Sequence, residues 1–271
     1  DTAGYFRRNV EKAFLDKYLK DGAPNPRTPP VLTYATGENR WEASDRWPVG
    51  SDTAIYLQSG FRLGFSAPAG GHDDYVSDPA RPVPFVQRPV HLRDPDVWKP
   101  WLVSDQRFVE NRPDVLTYTS APLADSVHIA GAPVADLFAA TSGTDSDWVV
   151  KLIDVYPEEQ SVAQKNAGYE LPIGIEIFRG RYVHGFSTPG PLTPGKVEEF
   201  KWRLPNVNHV FEPGHRIMVQ VQSSLFPLYD RNPQTFVPNI FRARPSDYRA
   251  ATQSVWHAPG RASAVWLPVV R

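Results

Sequence analysis

The sequence predicts a mainly β protein of the sandwich type, and three observations carry that expectation. Short runs in which apolar and polar residues alternate recur along the chain, separated by turn-forming residues. The composition, 28 prolines and 18 glycines with 12% aromatic residues, suits short strands joined by stiff turns. Only one stretch, at the amino terminus, carries a long helical period. The clearest strand opens at Ile217. Ile217, Val219 and Val221 fall on one side of an extended chain and Met218, Gln220 and Gln222 on the other, the pattern of a half-buried strand. Phe211-Glu212-Pro213-Gly214 precedes it, with proline and glycine in the central positions of a type II turn. Beyond it Pro227 and Pro233 lack ladder donors and Asp230-Arg231-Asn232 sets three hydrogen-bonding side chains in a row, so a polar corner is expected there.

Taken in order, the chain begins with Asp1 or Thr2 as cap of a helix from about Gly4 to Leu19. Phe6, Val10, Phe14 and Tyr18 recur every four residues on one face, and Gly22 ends it. A lone helix with one apolar face needs a partner, which is expected upstream of Asp1. Pro24 to Pro30 reads as a linker and Val31 to Thr36 as a strand. Ile55–Gln58 and Gly60–Leu63 form a hairpin around Ser59-Gly60. Ser66 to Pro89, rich in Ala, Gly, Asp and Pro, reads as ordered loop. Val97 to Phe108 has no clean period. Strands are expected at Leu116–Tyr118, Val127–Gly131, Pro133–Ala140, Trp148–Tyr156, Ile173–Phe178, Val197–Leu204 and Ala264–Val270, at the spacing of a sandwich.

The totals exclude several classes. A chain of 271 residues can bury a sizeable core. With 29 basic and 30 acidic residues, nothing electrostatic favours nucleic acid or an anionic membrane as partner, and a small neutral or zwitterionic substrate fits the balance. Without cysteine there is no disulfide, thiolate metal site or cysteine nucleophile. No apolar run approaches the roughly 20 residues of a membrane span.

The run PGHRIMVQVQSSLFPLYDRNPQT, with Thr144 to Pro157 and the segments Trp101–Val103 and Arg112–Leu116, closely resembles the C-terminal β-sandwich of the CocE/NonD-type serine hydrolases. It is most similar to the α-amino-acid ester hydrolases, with glutaryl-cephalosporin acylases and X-Pro dipeptidyl peptidases as relatives. Tyr75-Val76-Ser77-Asp78-Pro79 resembles a loop of that family, and Gly37–Trp41 with Arg46-Trp47-Pro48 its crossing into the sandwich. The resemblance covers nearly the whole chain. It implies a jelly-roll, galactose-binding-like β-sandwich over residues 37–271, preceded by residues 1–36 as the last helix and strand of an upstream α/β-hydrolase domain. It implies a serine-histidine-aspartate mechanism acting through an acyl-enzyme on a small ester or amide, with transfer to water or to an amine such as a β-lactam nucleus. The partner it implies is the α/β-hydrolase domain, in the same protein or a companion chain, and oligomer contacts and an exported, bacterial periplasmic or secreted setting are further expectations. No cofactor is called for.

The residues themselves offer little chemistry. There is no G-x-S-x-G elbow; Gly64-Phe65-Ser66 and Gly185-Phe186-Ser187 are each followed by a proline two residues beyond the serine, and neither precedes a predicted helix. No catalytic residue is therefore assigned within the chain. None of the seven histidines pairs at the i, i+4 spacing of a zinc-protease helix, so no metal site is assigned; His209 and His215 can approach across a hairpin but lack a full ligand set. Thr144-Asp145-Ser146-Asp147 reads as a turn at a strand entry. Trp148 and Trp202 belong to strand patterns and are expected in the core. The candidates for a substrate cleft or domain interface are Trp98, Trp101 and Phe108, which lie in an aperiodic stretch, and Asp230, Arg231 and Asn232, whose arginine fork can pin neighbouring loops. A free-standing carbohydrate-binding jelly roll is the alternative reading, and a metal-dependent hydrolase a third.

Overall fold

The computed structural model of the chain describes residues 1–48, 50–89, 91, 93–94, 99–159 and 166–270. Helix α1 (Thr2–Phe6), capped by the Asp1 carboxylate on the Gly4 amide at 3.0 Å, runs through a π-helical segment (Arg7–Glu11) into α2 (Lys12–Leu19). The helix thus starts about two residues before the expected Gly4. Strands β1 (Val31–Ala35) and β2 (Arg40–Ser44) form a separate antiparallel pair. Then come β3 (Ser51–Gln58), β4 (Arg62–Gly64), β5 (His72–Ser77), α3 (Arg107–Glu110), β6 (Leu116–Thr119), β7 (Val127–Gly131), β8 (Val134–Thr141) and β9 (Asp147–Val155). The remainder holds β10 (Glu170–Arg179), β11 (Glu198–Arg203), β12 (Val207–Phe211), β13 (Arg216–Gln222), β14 (Ala251–Ala258), β15 (Arg261–Ala262) and β16 (Ala264–Val269).

Hydrogen bonding links the strands from β3 onward in the order β10-β9-β13-β6-β4-β3-β16-β8-β14-β15, with β11 on β8, β5 on β14, and β12 joined through β7 to β16. The pairings are antiparallel except for one parallel contact between β4 and β6, at Arg62 and Thr119. The result is a mainly β sandwich with a short amino-terminal helix. Its core takes alternate residues from facing strands: Trp148, Val150 and Leu152 of β9 and Ile217, Val219 and Val221 of β13 meet Ala135, Leu137 and Ala139 of β8 and Val265 and Leu267 of β16. Trp148 and Trp202 lie in that core, as their strand patterns predict.

Two expectations need correction. Ser66 to Pro89 is not all loop, because β5 lies inside it and pairs residue by residue with β14. Nor is β13 half-buried, since Met218, Gln220 and Gln222 are enclosed as fully as the apolar side. The reason is a set of loops laid over the outer face of β9 and β13. Gln220 and Gln222 make their hydrogen bonds to Lys151, Met218 and Ser224 beneath that cover.

A candidate loop platform

Strand β9 is buried along nearly its whole length, and three of its outward residues, Asp147, Val149 and Lys151, each seat a different loop. Asp147 comes first. Its carboxylate takes both arms of the Arg179 fork at 3.0 Å and the Asn232 amide at 2.8 Å, and Arg179 reaches on to Asp230 at 3.3 Å. Between those two residues Arg231 donates to the Pro79 carbonyl at 2.8 Å, its guanidinium centred 5.6 Å from the Phe226 ring and 5.1 Å from Tyr248. Asp230, Arg231 and Asn232 therefore bind one corner to strand β9, strand β10 and two other loops. Such charge-assisted and cation–π contacts fix a loop's position more than they add to global stability.

Val149 is next along the strand. It packs with Phe85, Val86 and Leu225, and Trp101 meets the edge of the Phe85 ring at 5.8 Å. Backbone bonds from Phe85 to Phe226 and from Phe226 to Val83, both 3.0 Å, zip the 83–86 and 224–227 loops together. Trp101 is thus half-buried, and neighbouring Leu102, Val103, Leu228 and Tyr229 are exposed.

Lys151 follows, fully buried. Its ammonium nitrogen lies 2.8 Å from Gln106 Oε1 and 5.8 Å from the centre of the Phe108 ring on α3. Burial holds the Lys151 amine down at about 7, and burial with the nearby Glu110 and Asp105 carboxylates pushes Glu170 up to about 8. Phe108, with Val86, Arg88 and Asp105, lines a cavity of about 420 Å³ above this seat. Of the residues singled out in the sequence, Trp101, Phe108, Asp230, Arg231 and Asn232 thus belong to one loop system; Trp98 lies outside the described residues. Lys151 escaped notice there, although it is the one charge inside the run Val149-Val150-Lys151-Leu152-Ile153.

The acid-rich turn and the histidines resolve into buried polar ties. The Thr144–Asp147 stretch is not a surface turn but a bend at Thr144 that runs directly into β9 at Asp147: Asp145 accepts from the Ser146 amide at 2.9 Å, Asp145, Ser146 and Asp147 are buried, and Arg181 pairs with Asp145 at 2.8 Å through Nε. His209 and His215 do converge, although not across a hairpin, since β12 pairs with β7 and β13 with β6 and β9. Both rings face the buried Asp154, at 3.3 and 2.9 Å. His209 Nδ1 meets Thr36 Oγ1 at 2.8 Å, an array of hydroxyl, imidazole and carboxylate. The Thr36 hydroxyl also bonds the Asn208 carbonyl at 3.2 Å, beside backbone bonds from Thr36 to Asn208 and from Val210 to Thr36. This array anchors the end of β1 to β12.

The molecule is thus a β-sandwich whose buried polar clusters hold loops in place. Residues 25–265 match the X-Pro dipeptidyl-peptidase C-terminal non-catalytic domain, and the chain belongs to that family. An α-amino acid ester hydrolase of known structure is 56% identical, with a TM-score of 0.95 over 99% of this chain and 45% of that one. An aminopeptidase from the marine sediment archaeon Thaumarchaeota archaeon is 50% identical, with a TM-score of 0.93 over 100% of this chain and 45% of that one. The cocaine esterase of Rhodococcus sp. (strain MB1 Bresler) is 32% identical over 279 residues, 97% of this chain and 46% of the esterase. The chain spans about half the length of the relatives it matches.

Proposed function

We propose that this chain is the C-terminal accessory domain of a serine hydrolase acting on esters and amides of α-amino acids, with the nucleophile, histidine and aspartate in a separate α/β-hydrolase domain. One observation carries the reading: 56% identity at a TM-score of 0.95 to an α-amino acid ester hydrolase, over nearly every residue of this chain. In this reading residues 37–271 form a jelly roll, and residues 1–36 belong structurally to the α/β-hydrolase domain. The platform loops, with Trp101, Phe108 and the 230–232 corner, face that domain and wall one side of its substrate cleft.

The chemistry is acyl transfer. A serine of the catalytic domain attacks the carbonyl, a histidine carries its proton to the leaving alcohol or amine, and water or an amine resolves the acyl-enzyme. The sandwich contributes position: loops locked to a buried strand present an apolar wall without an ordering cost on each turnover. Native mass spectrometry of the purified material, run beside an ester-hydrolysis assay with a serine-directed inhibitor, tests it. Inhibitor-sensitive turnover that requires a catalytic domain or companion chain is expected. Inhibitor-sensitive turnover by this chain alone would place the nucleophile within residues 1–271 and overturn the reading.

A further inference from the structure

An open cleft of about 780 Å³ lies between the 74–88 segment and the turn after α3, with Ala250 and Thr252 closing one side. That volume is in the range that accepts a small molecule. Three arginines and three aspartates line it: Arg81, Arg88, Arg112, Asp74, Asp78 and Asp114. Four of the six are committed to one another. Arg112 forks onto Asp114 at 2.8 and 2.7 Å, and Arg81 reaches Asp78 at 3.3 Å. One charge of each sign is left over. Arg88 has no hydrogen-bond or ion-pair partner among the described residues, and Asp74 meets only the imidazole of His72, at 3.5 Å. That ring is itself stacked on Trp256 at 4.9 Å. Tyr75, Pro82 and Pro113 supply apolar lining between the charges.

We propose that this cleft binds a small zwitterion of amino-acid or dipeptide size, its carboxylate on the Arg88 guanidinium and its ammonium on Asp74. A guanidinium presents paired N–H donors matched to a carboxylate, and a carboxylate with no lysine or arginine partner accepts an ammonium. Arg88 lines the cavity beside Phe108 as well, so the cleft adjoins the platform. The choice of ligand rests on the function proposed above. Water adding to an α-amino-acid ester forms the new acyl–oxygen bond, breaks the bond to the alkoxy oxygen, frees the alcohol and releases one proton to solvent, which turns a cation into a zwitterion, so a site needing both charges holds the product in preference to the ester.

The test is calorimetric titration of the full-length protein, pretreated with a serine-directed reagent to block its catalytic site. The probes are alanyl-alanine, its N-acetyl derivative and its C-terminal amide. The dipeptide is expected to bind at one site per chain, each blocked analogue about tenfold more weakly or worse, as expected for loss of a charge-assisted contact. Arg88→Gln and Asp74→Asn, both at exposed positions where the fold is insensitive, should weaken dipeptide binding by a similar factor, with Arg88→Lys recovering part of it. Absence of dipeptide binding, or an affinity unmoved by Arg88→Gln and Asp74→Asn, overturns the proposal. Ester turnover that resists the serine reagent would instead count against the catalytic reading and leave the binding result standing.

Discussion

Asp145 and Arg181 are both taken out of water, and each depends on the other for what it lost. Arg181 also donates to the Val237 carbonyl at 3.0 Å and lies over the Phe236 ring at 4.8 Å. Removing one member of such a pair strands a buried charge, so Arg181→Met should cost about 3–5 kcal/mol in a urea titration. Lys196→Ala, which breaks the exposed pair with Glu198, should cost under about 1 kcal/mol. Lys151 makes a second test, because its shift has a sign. The amine ordinarily titrates at 10.5 and in the fold at about 7, so between those values folding releases a proton and stability rises with pH. Glu170 works the other way. Its carboxyl moves from 4.5 to about 8, folding takes up a proton in that window, and stability falls as pH rises through it. Urea midpoints from pH 5 to 10 should therefore show Lys151→Met losing the alkaline rise while keeping the fall on the acid side. An unchanged alkaline slope in that variant would mean that Lys151 is charged in the fold.

At the scale of elements, β9 decides how the loops are arranged. Phe85 is the joint, since it covers Val149, carries Trp101 and is zipped to the 224–227 loop. Phe85→Ala should cost about 3–5 kcal/mol and, in limited proteolysis under native conditions, expose the 99–104 segment to cleavage well before the rest of the chain. Equal protection of that segment in wild type and variant would detach Trp101 from this joint. The strands that build the scaffold were legible where one face is apolar: β7, β8, β9, β13 and β16 all lie within a residue or two of expectation. Three that escaped, β5, β12 and β14, carry polar residues among their buried positions. Along β14, Gln253 and His257 occupy the same inward register as Val255, and β12 buries Asn208 and His209. In β5, Ser77 is buried, and the half-buried Asp73 bonds Tyr118 at 2.8 Å and His257 at 3.0 Å, partners 45 and 184 residues away. The same limit applies to the platform. Trp101, Phe108 and the Asp230–Asn232 corner stood out as residue types without a period, but Lys151 and the Asp145–Arg181 pair acquire meaning only from contacts distant in sequence.

For the whole molecule the question is what the amino-terminal helix packs against. Tyr5 touches Trp41 of β2, with ring centres 5.1 Å apart, yet Phe6, Phe14, Leu15, Tyr18 and Leu19 stay exposed, and Phe14 and Tyr18 touch chiefly each other at 4.7 Å. A run of large apolar side chains that size is uncommon on a free surface. If the helix belongs to the proposed α/β-hydrolase domain, its exposed face matters in the full-length protein and not in the sandwich. Replacing Phe14 and Tyr18 together by glutamine keeps a good helix former at each position and removes the aromatic surface. In the isolated chain the unfolding free energy of the sandwich in a urea titration should then move by no more than about 0.5 kcal/mol, as for other substitutions that break no buried contact. In the full-length protein the same pair should lower the unfolding free energy of the hydrolase domain by several times that amount and shorten the half-life of ester turnover on heating, because burying a large aromatic against a partner stabilises by roughly 1.5–3 kcal/mol each. A full-length protein as indifferent to the double change as the isolated chain would show that this face packs on nothing in that protein, and residues 1–36 would then have to be counted with the sandwich.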